Sequence, residues 1–462
     1  MARRGELRLC GGGLFPALSL VLGLACSPTP PEVMPPEAAE KLPDVVFISL
    51  DTTRADALSA YGAPVRTTPH LDRLAAQGLR FAWAFSHVPT TLSAHASVFT
   101  GLDPHGHRVV RNGGHLDPAL PTLAEALAAR GYQTIGVVGS SALHDETGIA
   151  RGFSVWDQQL DLDLGPRYEA RADQVTDRAL AQLAARDGRP LFLFVHYFDA
   201  HGPYSAPAPY TRQFAEDGAY AGVVDGSAAG IGALSARLRA GTAADADRAE
   251  LLARYRGEVA WVDSQVGRLV ARLPAERLLW VFGDHGERLG EPGLAPIGHG
   301  QDVDEVSTHV PLLVSGLGLP PMVVDRPVGL SDLAPTTTSL LGLGRIGEGQ
   351  DLSVLWRGGG LPERPLFLEA SQPAQLGRKT GWPNLDLQRG VVAEGHLYFF
   401  SPWRPVMPSL RRLGGDEVDE PERGSRLREL VRQWDAAAPS VSADRPPSDA
   451  QAEALRALGY AD

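Results

Sequence analysis

The chain has 462 residues, 44% of them hydrophobic, and a formal net charge of −12. That length holds two to four domains, or one large α/β unit with additions, and the apolar content is enough for a sizeable core. The acidic balance argues against a nucleic-acid partner.

Residues 1–26 read as an export signal. Arg3, Arg4 and Arg8 form a basic start, and residues 14–25 an apolar run too short to span a bilayer as a mature helix. The run ends in Gly23-Leu24-Ala25-Cys26, which resembles a bacterial lipoprotein cleavage site. The expectation is an exported lipoprotein, periplasmic or at the cell surface, held to a membrane by a lipid on Cys26. An ordinary signal peptide or an uncleaved anchor is the alternative. The other cysteine, Cys10, lies inside the signal, so the mature chain has no disulfide. Residues 27–43 are rich in proline and acidic side chains and read as an extended tether.

Residues 45–50 are a continuous apolar run, as in a strand covered on both faces of a parallel sheet. The run ends in Asp51. Ligand residues in open α/β sheets cluster at the C-terminal ends of strands, so Asp51 is either a metal ligand or a turn aspartate. A short helix opens near Pro69 and ends near Gly78. The stretch Pro89 to Gly101 then places Thr91 at the mouth of a helix that Gly101 closes. A helix N-terminus favours an anionic substrate and a developing alkoxide; N-capping of a structural helix is the other reading of the same residues. Asn112 lies in a polar loop. A helix over 121–130, a strand over 134–138 and a long helix over 169–185 follow.

Residues 191–195 form a second buried strand, leading into Asp199 and His201 at its end. Residues 216–245 are rich in glycine and alanine, with little pattern, and read as a mobile insertion. A long amphipathic helix over 248–273 precedes a third strand, 277–282, which delivers Asp284 and His285 between glycines. Carboxylate oxygen with imidazole nitrogen suits Mn²⁺ or Zn²⁺, and Mg²⁺ or Ca²⁺ less well. His299 lies in a glycine-bounded loop, and residues 310–314 form a fourth strand. His105, His107 and His309 read as structural or surface residues. Strands and helices alternate, which predicts an α/β fold with a large mixed, mostly parallel sheet between helical layers over residues 44–345. Residues 346–462 change character and predict a small antiparallel subdomain: strand and turn over 389–400, a charged, turn-rich segment over 411–426, and a final helix near Ala450.

Taken together, these segments resemble the sulfatase family within the alkaline phosphatase superfamily. The likeness rests on Asp51-Thr-Thr-Arg-Ala-Asp56 with Tyr61-Gly62, Thr68-Pro-His-Leu-Asp-Arg-Leu74 and Thr91-Leu-Ser-Ala-His95-Ala-Ser-Val-Phe-Thr-Gly101. It continues through His196-Tyr-Phe-Asp-Ala-His201-Gly-Pro-Tyr204, Tyr255 to Asp263, Gly283-Asp-His-Gly-Glu287, Gly298-His-Gly300 and Leu458-Gly459-Tyr460. The resemblance implies that Asp51, Asp284 and His285 hold a divalent metal with Thr91, the nucleophile, beside it. It implies that His201 and His299 contact the ester oxygens or leaving group, joined by Asn112, and that His95, which stands where the sulfatase signature has arginine, binds substrate with them.

Two departures qualify the likeness. The usual signature begins with Cys or Ser, has Pro two residues later and Arg two further on, and its first residue becomes formylglycine. Here those positions hold Thr91, Ser93 and His95, so no formylglycine is expected. Thr52 also replaces the second residue of the family's Asp-Asp pair. The resemblance therefore implies a hydrolase or transferase acting on an anionic ester through threonine, with phosphoesters favoured. The alternatives are a sulfuric ester hydrolase that works without formylglycine and an inactive surface-binding relative. A second metal on Asp199, His201 and His299 ranks below the single-metal site. The sequence carries no signature of oligomeric state.

Overall fold

A computed structural model describes residues 42–160, 169–215, 220–292, 297–370, 388–400, 408–437 and 448–457. The export signal, Cys26, almost all of the tether and Leu458-Gly459-Tyr460 lie outside the described residues. No helix among the described residues is long and apolar enough to cross a membrane.

In chain order the strands are β1 (Asp44–Leu50), β2 (Leu79–Phe81), β3 (Ala84–Phe85), β4 (Gln133–Val138), β5 (Val155–Asp157), β6 (Leu191–Tyr197), β7 (Arg277–Gly283), β8 (His309–Val310), β9 (Leu312–Gly316), β10 (Met322–Val324) and β11 (Val328–Gly329). Eight form one sheet in the order β10-β2-β9-β7-β1-β6-β4-β5. The expected α/β architecture is present, and β1 lies at its centre, parallel to β6 on one side and β7 on the other. Its residues alternate between two cores. Val45 and Phe47 pack with Phe192, Trp280 and the helix Thr91–Thr100. Val46, Ile48 and Leu50 pack with the long helix Asp245–Val270. Both faces of the sheet are therefore covered, which is why the strand reads as an unbroken apolar run.

The fourth expected strand, 310–314, is two. Pro311 has no N–H to give a ladder, and the chain switches sheets there. Val310 pairs in the three-stranded sheet β11-β3-β8, whereas Leu312 begins β9, antiparallel to β7. The alanine- and glycine-rich stretch expected to be a mobile insertion contains a helix, Ala228–Ala240, started by the Ser227 side chain and stopped at Gly241. Residues 216–219 of that stretch lie outside the described residues.

At the C-terminal end, β12 (Leu366–Ala370), β13 (Gln388–Ala393), β14 (His396–Phe400) and β15 (Ser409–Arg412) form a separate antiparallel sheet in that order. The segment expected to be turn-rich is in part a helix, Pro421–Ala436, which seats Leu427 and Val431 against Val391 and Tyr398. A final helix, Asp449–Ala457, lies close to where it was expected.

Candidate active site

Three neighbouring strands end at one place. The Asp51 N–H donates to Tyr197 O at 2.9 Å, and the Asp284 N–H to Leu50 O at 3.3 Å. These bonds carry the ladder one step past β1, so Asp51, Asp284 and His285 leave the sheet together. The fourth component comes from below. Thr90 occupies the N-cap position of the helix Thr91–Thr100 without a side-chain hydrogen bond to it, and Thr91 is the helix's first residue. The Thr91 hydroxyl donates to Asp51 Oδ2 over a long 3.4 Å.

The polar atoms that remain define the chemistry. Asp284 Oδ1 accepts from the N–H groups of Thr52, at 3.1 Å, and His285, at 2.7 Å. Asp51 Oδ2 accepts from His196 Nε2 at 3.1 Å. His285 Nδ1 lies 3.0 Å from Gly286 O, which can only accept, so the proton sits on Nδ1. Asp51 Oδ1, Asp284 Oδ2 and His285 Nε2 are left buried with no hydrogen-bond partner among the described residues. His285 Nε2 is 3.8 Å from Asp51 Oδ1 and 3.7 Å from Asp284 Oδ2. One ligand atom from each of the three residues lies within 4.8 Å of the others. Three unpartnered, buried acceptors facing one point are costly without a cation and suited to one. The residues present fit a divalent metal.

The electrostatics agree. Burial pushes the Asp51 carboxyl up to about 7. Burial and the neighbouring Asp51 raise Asp284. Burial alone would lower His285, but Asp284 and Asp51 outweigh it and the ring shifts upward. The group holds protons where a cation would otherwise sit.

His299 lies between His285 and His201, with ring centroids 4.4 and 5.1 Å away. His201 is half-buried and its Nδ1 donates to Gly202 O at 2.6 Å. Burial pushes His201 down to about 3 and His299 well below its usual value, so both rings are neutral. The three imidazoles run from the metal-ready floor, where His285 is fully buried, to His201.

Asn112 and His95 take other positions. Asn112 Oδ1 accepts from Leu92 N at 2.8 Å, satisfying a first-turn N–H of the helix Thr91–Thr100, while its Nδ2 is buried and unpartnered among the described residues. The His95 ring lies beneath the helix with both nitrogens engaged. Nδ1 donates to Thr91 O at 2.7 Å, and Nε2 accepts from Ser49 Oγ at 2.8 Å. It holds Thr91 from behind. Asp199, weighed for a second metal, accepts from Trp261 Nε1 at 3.1 Å and belongs to neither cluster of possible metal ligands among the described residues, Asp51, Asp284 and His285 or His95, His196 and Asp284.

Several residues of the site carried no sequence signal of their role. His196 sits inside β6, yet its ring reaches Asp51. Glu287 lies 3.4 Å from His299 Nδ1, and burial raises its carboxyl to about 7. Arg288, fully buried, is gripped by Asp302 and Asp304 at 2.7 and 2.8 Å. Its backbone pairs in both directions with Gly298, fixing the His299 loop.

Thr52 has a left-handed backbone, φ 49°, strained for a β-branched residue. Tyr255 holds it there. The Tyr255 hydroxyl donates to Thr52 O at 2.9 Å and accepts from Arg54 N at 3.0 Å. Tyr255→Phe strands both backbone groups. It is expected to destabilise the protein by about 1–3 kcal/mol, read from denaturant unfolding; a change near zero would remove this role from Tyr255.

Comparison with known proteins places this geometry. The sulfatase family model matches residues 43–343. The multifunctional alkaline phosphatase superfamily protein PehA of Trinickia caryophylli is 26% identical, over 60% of this chain and 68% of that protein. The ulvan-active sulfatase of Formosa agariphila is 27% identical, over 79% and 74%. Among solved structures, the phosphonate monoester hydrolase of Agrobacterium radiobacter superposes with a TM-score of 0.65 at 24% identity, over 85% of this chain and 94% of that one, a likeness of fold. The match of the family model across almost two thirds of the sequence, on top of this sheet and this cluster at its centre, means that the chain belongs to the sulfatase family of ester-cleaving hydrolases.

Proposed function

We propose that the protein cleaves or transfers phosphate esters through Thr91, with a divalent cation held by Asp51, Asp284 and His285. The observation that carries this reading is the trio of unpartnered atoms, Asp51 Oδ1, Asp284 Oδ2 and His285 Nε2, beside a threonine hydroxyl at a helix N-terminus. Two carboxylates and one imidazole favour Mn²⁺ or Zn²⁺ over Ca²⁺ or Mg²⁺. The cation supplies a Lewis acid that lowers the pKa of an adjacent hydroxyl and neutralises charge on the ester. The Thr91 oxygen attacks phosphorus in line, and its proton has an acceptor in Asp51 Oδ2. Asn112 and His95 keep that oxygen in place, one through Leu92 N and the other through Thr91 O.

His201 and His299 act on the departing side. Neutral rings cannot donate from a deprotonated nitrogen. An anionic ester beside them raises both pKa values, so that one ring arrives protonated and gives its proton to the leaving oxygen. Water or an acceptor alcohol then resolves the Thr91 ester. Threonine is not a precursor of formylglycine, which is why phosphoester chemistry ranks first. The relatives named sulfatases support a second reading, a sulfuric ester hydrolase with the same nucleophile. The export-signal-like residues 1–26, with Cys26 at a lipoprotein-like cleavage site, support the reading that this chemistry runs outside the cytoplasm on a lipid-tethered protein.

The test is a panel of 4-nitrophenyl sulfate, phosphate monoester, phosphate diester and phenylphosphonate, with and without Mn²⁺ or Zn²⁺. Metal-dependent cleavage of a phosphorus ester, fastest in the panel, is expected. Faster turnover of the sulfate would replace this reading with the second one.

A further inference from the structure

Inside β6, His196 ends the apolar run Leu191-Phe-Leu-Phe-Val195 at a position that is 0% exposed. A buried imidazole is costly there unless a specific bond justifies it. The ladder sets its direction. His196 lies opposite Ser49 of β1 and Val138 of β4, and it continues the face of Phe192 and Phe194, which packs with the helix Thr91–Thr100. His95, on that helix, sets its ring edge to face against the His196 ring, with centroids 5.1 Å apart at 84°. Ser49 donates its hydroxyl proton to His95 Nε2.

One bond is left to His196. Its Nε2 donates to Asp51 Oδ2 at 3.1 Å, and its Nδ1 is buried with no hydrogen-bond partner among the described residues. A ring that leaves one nitrogen unsatisfied is placed for the bond it does make, since an apolar side chain would fill the position at lower cost. That bond separates the two oxygens of Asp51. Oδ2 accepts from His196 and, over 3.4 Å, from the Thr91 hydroxyl, whereas Oδ1 accepts from nothing among the described residues. The last torsion of a carboxylate side chain is broad and two-fold, so Asp51 alone does not keep one chosen oxygen toward the cation point. A second cation on His95, His196 and Asp284 lacks donors, because both nitrogens of His95 are engaged.

We propose that His196 is a positioning residue for the cation: by holding Asp51 Oδ2 it keeps Oδ1 turned toward Asp284 Oδ2 and His285 Nε2, while His95 packs the ring in place. The proposal rests on the reading of Asp51, Asp284 and His285 as cation ligands. Removing a hydrogen-bond partner of a ligand typically costs roughly 10–100-fold in metal affinity, and the effect passes through the ligand without any contact to substrate.

The experiment is a calorimetric titration of the cation-stripped protein with Mn²⁺ and, separately, Zn²⁺. Wild type, His196→Leu, His196→Asn and His196→Gln are compared, and the thermal midpoint of each stripped protein is measured alongside. Glutamine carries its amide N–H about as far along the side chain as Nε2 of histidine, whereas asparagine reaches only as far as Nδ1. His196→Leu and His196→Asn are expected to weaken binding roughly 10–100-fold, and His196→Gln to stay within about threefold of wild type. A residue that only fills the core would shift the midpoints and leave the affinity alone. If His196→Leu fails to fold, His196→Asn against His196→Gln decides. Binding by the leucine or asparagine variant within about threefold of wild type, or a glutamine variant as weak as the leucine one, would overturn this role while the cation reading stands. A wild type that binds neither cation would instead fail the cation reading, and this proposal with it.

Discussion

Thr91→Ala is expected to lower phosphoester turnover by roughly 10⁴-fold or more, as loss of a nucleophile does elsewhere, with little change in stability. The structure supplies both halves of that expectation. Alanine is tolerated at the first position of a helix, and the hydrogen bond removed, 3.4 Å to Asp51 Oδ2, is long enough to contribute little. The hydroxyl is nonetheless placed both at a helix N-terminus and beside the three cation-ready atoms. Thr91→Ser keeps the oxygen and should keep measurable activity. Turnover of the best ester and the thermal midpoint, measured on the same preparations, separate the outcomes. An alanine variant that stays within about tenfold of wild type would remove Thr91 from the nucleophile's role.

Stripping divalent cations with a chelator is expected to abolish turnover and lower the thermal midpoint, and the gap between stripped and loaded protein should widen as pH rises. In the stripped protein, burial raises Asp51 and Glu287 to about 7, and Asp284 and His285 also shift upward. An unfolded chain releases its carboxyl protons near pH 4. Between about pH 4 and 7 the folded, stripped protein therefore holds protons that the unfolded chain has lost. The stability tied to those protons is complete below about pH 4 and disappears as pH climbs through 7. The loaded protein runs the other way, because the ligands must be deprotonated to bind and loading releases protons. At a cation concentration 100 times Kd, binding adds about 2.7 kcal/mol. Equal midpoints for the two forms at neutral pH would argue against a cation at this site.

Much of the site was legible because its members mark the ends of elements. Asp51, Asp284 and His285 each follow an apolar run, and Thr91 precedes one that glycine closes, so strand-end and helix-start signals located all four. His196 was hidden by the same feature that made β6 easy to find. When both faces of a strand are buried, alternation no longer tells which side chain faces the functional edge. Glu287 and Arg288 act on the His299 loop through contacts that spacing cannot reveal. His95 shows the opposite limit. A signature position pointed toward substrate, whereas the ring lies on the Ser49 face of the sheet with both nitrogens engaged. In the fold, the helix Ala228–Ala240 was obscured by its glycines, although Ser227 and Gly241 carried ordinary start and stop chemistry. The break at Pro311 was also written in the sequence, since a proline cannot serve a central strand.

The central place of β1 also orders events during synthesis. Asp51 is separated from His196 by 145 positions and Thr52 from Asp284 by 232. The strand made first among those described therefore has neither neighbour until much of the chain has followed. Folding dominated by such distant pairings is slow, and an unpaired apolar strand is open to association with other chains while it waits. No fragment that stops short of β7 can assemble the catalytic cluster. Activity in this protein is thus a report on completed folding, and variants that slow docking of β6 or β7 should lower yield well before they alter turnover per folded molecule.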